Sequence, residues 1–146
     1  MNTLLIFIWI YGAMIAMSFW EAYVEGRNPR NKRKLGWEIK LGKYFVLPSY
    51  HFFVFFVMWP LLLSLPLVIY GWNTRLFGIL FSAYISGTLV EDFGWFVVNP
   101  EVKLKEFWTD FSDYYPWLKI KGKKIVPLGY IVGILISLLS WYLFWR

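Results

Sequence analysis

Apolar positions along this chain fall into four long runs, separated by segments where charge is dense. The runs cover residues about 3–23, 44–72, 76–98 and 126–144, near or above the roughly 20 residues a helix needs to cross a hydrocarbon core. A lone strand would leave its backbone groups unpaired in lipid, so each run is expected to be helical. The predicted fold is an all-α integral membrane protein. One transmembrane domain of four helices spans residues 1–146, with loops at about 24–43 and 99–125. The first run is not read as a secretory signal. No Lys or Arg precedes it and a basic run follows it, the reverse of a signal's charge order.

The second run carries Pro48, Pro60 and Pro66. Pro48 is expected in the first helical turn, where its missing N–H costs nothing. Pro60 and Pro66 fall inside the run, where each removes a hydrogen bond and kinks the helix. Either the helix bends around its neighbours, or it is broken and its freed carbonyls line a cavity.

The loops have patterns of their own. Leu35, Trp37, Ile39 and Leu41 alternate with polar residues or Gly, and Leu118 and Ile120 alternate with lysines. Such alternation predicts short strands or extended segments at the interface. Over 106–116, Phe107, Trp108, Phe111, Tyr114 and Tyr115 recur at helical spacing while Asp110 and Asp113 turn elsewhere. That predicts an interfacial amphipathic helix, serving as an aromatic anchor or as a lid.

The two halves share a pattern. Glu21 leads to Asn28-Pro29 at the same spacing as Asp92 leads to Asn99-Pro100. Trp37 precedes Gly42 and then Pro48, as Trp117 precedes Gly122 and then Pro127. Halves that begin on the same side would form a parallel two-helix repeat, related by an axis along the membrane normal.

Composition narrows the function classes. The chain is 59% hydrophobic and 16% charged, more apolar than one small soluble core can hide. With no Cys, disulfides, iron–sulfur clusters, thiolate zinc sites and Cys nucleophiles are excluded. A single His excludes haem held by two histidines of one chain. Of fifteen Lys and Arg, thirteen lie in the two long loops; only Arg75 and Arg146 lie on the other side. This bias predicts cytoplasmic loops and both termini outside, in a multi-pass protein of the cell membrane. The net charge of +6 then reflects topology and attraction to anionic lipid head groups, with no nucleic-acid partner expected.

Depth is the informative property of the acids. Glu21 and Glu25, four residues apart, share a helix face. Glu91 and Asp92 lie roughly 10–12 Å inside the end of the third helix, and His51 sits at a similar depth on the second. The inner faces of the third helix carry Ser82, Ser86, Gly87, Thr88 and Gly94. These small residues let a neighbouring helix approach closely, with Gly87 and Gly94 on the Glu91 side. Four carboxylates and the lone imidazole thus reach one layer, where uncompensated charge is expensive. Protons, Arg27 or Arg30 reaching back, or a cation must neutralise them.

A divalent metal held by Glu21, Glu25, His51, Glu91 and Asp92 meets that need, with Zn, Mn, Fe or Mg fitting hard oxygens plus one imidazole. The Glu-x-x-His spacing of di-iron bundles is absent. Glu91, Asp92 and His51 are the candidate catalytic groups, as ligands or general base. The blander alternatives are surface acids paired with Arg27 and Lys34, and a core histidine.

Three functions compete. The first is a membrane enzyme with a carboxylate/His cation or acid–base site acting on a lipidic substrate, with Asp110, Asp113 and the basic loops meeting its head group. The second is a proton- or cation-coupled transporter or channel subunit, which would need to homo-oligomerise to form a path. The third is a structural or assembly subunit whose aromatic surface packs against partners in a larger membrane complex.

Overall fold

The structure, a computed structural model, describes residues 2–28, 36–41 and 45–146. Pro29, Leu35, Gly42 and Tyr44, and the basic residues Arg30, Lys32, Arg33, Lys34 and Lys43, lie outside the described residues. Four helices are long and apolar enough to cross a membrane: α1 (Thr3–Glu25), α2 (Ser49–Tyr70), α3 (Thr74–Val98) and α4 (Leu128–Trp145). Polar side chains set their starts. Asn2 Oδ1 accepts the Leu5 N–H, and Asn73 Oδ1 accepts the Leu76 N–H at 2.8 Å, each satisfying a donor the first turn leaves open.

The predicted extended segments are two antiparallel hairpins. β1 (Glu38–Leu41) pairs with β2 (Phe45–Pro48), and β3 (Trp117–Ile120) with β4 (Lys123–Pro127). The second turns through Lys121 and Gly122, both at positive φ (51° and 79°), the geometry of a two-residue hairpin turn matched to strand twist. Each hairpin pins the helix after it. The Ser49 N–H donates to the Trp37 carbonyl at 2.9 Å and the Leu128 N–H to the Pro116 carbonyl at 2.8 Å. Pro48 therefore closes β2 and caps α2 rather than entering its first turn. The order helix, hairpin, helix occurs twice along the chain.

The amphipathic helix expected over 106–116 does not form. In its place are two 3₁₀ turns, Leu104–Trp108 and Asp110–Ser112. Between them Thr109 is extended, and its hydroxyl accepts the Phe111 N–H while Ser112 Oγ donates to the Phe107 carbonyl at 2.5 Å. These short side-chain bonds to the backbone compete with helical ones and break the run. Phe107 is buried with Ala22, Trp95, Phe96 and Val102, Phe111, Tyr114 and Tyr115 pack half-buried against that cluster, and Trp108 stays exposed. Asp113 pairs with Lys124 at 2.7 Å.

At the centre, α3 packs against both α1 and α4. Gly87 meets Met14 and Ile10, and Gly94 meets Ser18, so the glycine face does point inward. Against α4 a serine ladder forms: Ser82 and Ser137 each donate to the other's carbonyl (3.1 and 3.0 Å), and Ser140 donates to the Gly78 carbonyl. By contrast, no residue of α2 is buried. Its Trp59, Leu63 and Leu67 lean on the cluster of Ile10, Met14, Leu80 and Ala83.

Residues Phe52–Met58 of α2 are π-helical, just before Pro60. The Trp59 N–H reaches back five residues to the Val54 carbonyl. In that register the Phe55 carbonyl would take its bond from residue 60, a proline without an N–H. The hydroxyl of Tyr84 on α3 donates to it instead. Tyr84→Phe is therefore expected to destabilise the fold by about 1 kcal/mol, the cost of leaving a half-buried carbonyl without its donor. Reversible unfolding in mixed micelles measures this, and an unchanged stability would show that the carbonyl needs no partner.

Candidate functional site

α1 delivers Glu21 and Glu25 from successive turns, and both are buried, at 4% and 8% exposure. They are therefore not surface acids. The first turn of α2 brings His51 to meet them, its Nε2 lying 3.3 Å from Glu21 Oε1, 3.4 Å from Glu21 Oε2 and 3.7 Å from Glu25 Oε1. One ligand atom from each of these residues lies within 4.8 Å of the other two. Glu25 also accepts a hydrogen bond from the hydroxyl of Tyr50, the residue before His51.

Glu91 and Asp92 are adjacent in sequence, but the helix turns them apart. Glu91 (4% exposed) faces α1, where its carbonyl accepts from Ser18 Oγ at 2.8 Å and its carboxyl neighbours that of Glu21. Glu91 Oε1 and Glu21 Oε1 are shut off from solvent and form no hydrogen bond, although His51 Nε2 stands 3.3 Å from the latter. Asp92 faces the other way. It accepts from Tyr115 at 2.8 Å to each oxygen and from Tyr130 at 2.5 Å. Burial and the neighbouring Asp92 charge push the Tyr115 hydroxyl well above its usual 10, so it stays protonated and donates. Of the five predicted ligands, Glu21, Glu25 and His51 form the close group. Glu91 stands beside it, and Asp92 is committed to two tyrosines.

The two hairpins build matching pairs. His51 lies three residues after Pro48 and meets Glu21; Tyr130 lies three residues after Pro127 and meets Asp92. Extending the repeated Trp–Gly–Pro pattern by three residues would have pointed to Tyr130. Tyr50 and Tyr115 carried no such signal.

Arg27 does not reach back to the acids. Its guanidinium grips Glu106 at 2.5 and 3.3 Å, donates to the Glu101 carbonyl at 2.7 Å and lies over the Phe111 ring. Asn99 completes this clip, donating to the Gly26 carbonyl at 2.8 Å while accepting the Glu101 and Val102 N–H groups. The Arg27 hydrogen bonds, helped by the Lys103 N–H, hold the Glu106 carboxyl below its ordinary 4.5. With a lowered folded-state pKa, the clip's contribution is present above the ordinary value and lost as pH falls through the lowered one. Arg27→Ala is expected to raise the Glu106 titration midpoint, followed by NMR, with the Lys103 N–H still holding it down in part; an unmoved midpoint would separate the two groups in solution.

All five predicted site residues line one cavity of about 750 Å³. Its polar end is the acid cluster, under Tyr114, Tyr115 and Pro116 of the second loop. Its other walls are apolar, with Phe55, Phe56 and Pro60 of α2 facing Phe81, Ile85 and Leu89 of α3. Residues of the π-helical segment thus line the cavity, but α2 is not broken and the carbonyl that Pro60 frees is taken by Tyr84. Compared with protein-family models, with curated proteins and with solved structures, the chain matches none.

Proposed function

We propose that this is a multi-pass protein of the cell membrane, with both termini outside and both basic loops cytoplasmic. Its Glu21, Glu25 and His51 hold a divalent cation at the polar end of a cavity that serves lipidic substrates. The observation that carries this reading is the close group of two carboxylates and one imidazole, within 4.8 Å of one another. Ligand atoms around a four-coordinate zinc stand about 3.4 Å apart, given metal–ligand distances of about 2.1 Å, so small side-chain rotations would close the set. Three protein ligands leave a position for water or substrate, the pattern of catalytic rather than structural sites. Tyr50, bonded to Glu25, supplies the outer support such ligands need. Glu91, alongside but outside the trio, is the candidate general base, and Asp92 is a positioning residue that ties α3 to Tyr115 and Tyr130.

The reaction class that fits is metal-assisted acid–base chemistry on an amphipathic molecule at the cytoplasmic interface. The thirteen loop cations support the orientation and a surface attracted to anionic lipid. Metal analysis of detergent-purified protein tests the reading, with about one equivalent per chain expected in wild type and loss in His51→Ala. Protein free of metal that copurifies in fixed ratio with other subunits would favour an assembly role instead.

A further inference from the structure

A metal ion fills only the polar end of the cavity. The remaining space is apolar, and the total of about 750 Å³ lies within the range of small-molecule sites. We propose that the cavity takes a long-chain amphiphile with a positively charged amine head group. Its ammonium lies between Glu21 and Glu91, and its chain lies against Phe55, Phe56, Phe81 and Leu89. This rests on the reading of the cluster as a cation site and differs in the cation that occupies it.

Charge argues for the head group. Among the described residues, the lining includes four carboxyls and one imidazole but no Lys or Arg, so the carboxyls would repel a phosphate, sulfate or carboxylate head. Hydrogen bonding gives the second, independent argument. Glu91 Oε1, in a residue more than nine-tenths buried, is an acceptor without a hydrogen bond, and Glu21 Oε1 forms none although His51 Nε2 stands 3.3 Å away. An ammonium brings up to three donors and the opposite charge, whereas an alcohol brings one donor and none. The aromatic residues Trp95, Tyr114 and Tyr130 line the same cavity. The walls argue for the chain. Since α2 has no buried residue and lends its π-helical segment to the cavity, a chain entering sideways from the bilayer displaces no packed core.

Native mass spectrometry of chelator-treated, full-length protein from a nonionic detergent tests this with dodecylamine, dodecanol and dodecanoate. One dodecylamine per chain is expected, with little of the other two. Methylamine, lacking the chain, should bind far more weakly. Glu91→Gln should lower dodecylamine affinity about tenfold or more with little effect on zinc, whereas Glu38→Gln, outside the cavity lining, should change neither. Zinc added to wild-type protein should displace dodecylamine, since both need Glu21; this arm requires no variant to fold. Binding of zinc without dodecylamine overturns the amine proposal and leaves the metal reading standing. Dodecylamine without zinc does the reverse. Equal binding of dodecanoate, or amine binding that zinc does not displace, overturns the placement of the head group. Binding of neither ligand overturns both.

Discussion

His51→Ala is expected to weaken zinc binding by a hundredfold or more, measured by competition with a chromogenic chelator on detergent-purified protein. Loss of an outer-shell partner alone costs roughly ten- to a hundredfold at metal sites, and His51 is placed to be a direct ligand. Its ring reaches both Glu21 and Glu25 from another helix. Without it, two carboxylates on one face of α1 remain, a far weaker site. Glu25→Gln should lower affinity as well, and Tyr50→Phe by a smaller factor, because the tyrosine orients Glu25 without joining the trio. Glu91→Gln should change zinc affinity least among the acids of the cavity. If His51→Ala kept wild-type affinity while Asp92→Asn lost it, the centre would have to move to the tyrosine-held carboxylate.

Gly94→Ala is expected to cost about 1–3 kcal/mol of stability, and Gly94→Leu more, as overpacking does in a close-packed interior. A Cβ at this position would press into the Ser18 hydroxyl and sit 3.1 Å from Ser18 Cβ. Ser18 cannot step aside freely. It is fully buried and its Oγ bridges the Glu91 carbonyl at 2.8 Å and the Met14 carbonyl at 3.1 Å. The strain is relieved only if α1 moves off α3. Because Glu21 lies one turn beyond Ser18, that movement shifts the acids relative to Glu91 and Asp92, so cation binding should fall along with stability. Gly12→Ala is the control: its Cβ would meet nothing within 4 Å, and it should be neutral or slightly stabilising. Unfolding in mixed micelles, with zinc binding on the same samples, checks both readouts. Equal stability of the two variants would show that the contact of α1 and α3 at Gly94 is looser than drawn.

Much of the site was legible because an acid inside an apolar run is conspicuous whatever surrounds it. Glu21, Glu25, His51, Glu91 and Asp92 stood out by depth alone, and all five line one cavity. Their partition was not legible. The 100° between consecutive helical residues sends Glu91 to α1 and Asp92 to Tyr115 and Tyr130, and no spacing in one chain reveals which neighbour lies on which side. The aromatic run around Phe107 misled for a related reason. Its helical periodicity was real, but Thr109 and Ser112 form short bonds to the backbone that end each turn after a few residues. Phe107, Phe111, Tyr114 and Tyr115 then pack onto the end of α3, while Trp108 stays exposed.

By itself the order of residues determined four long apolar helices, extended segments where apolar and polar positions alternate, and a layer of acids with one imidazole. These are local or additive properties: hydropathy summed over a turn, the period of a strand, the spacing of residues along a helix. The strands Phe45–Pro48 and Lys123–Pro127 that complete the hairpins begin inside or run into stretches read as helix. Tertiary structure alone decided that Glu21, Glu25 and His51 form one group, that Arg27 serves the second loop, and that Tyr84 repairs the bond Pro60 removes. Each of those depends on which helix faces which. That choice is made by contacts between distant residues, such as Ser18 against Gly94, whose energies no single segment contains.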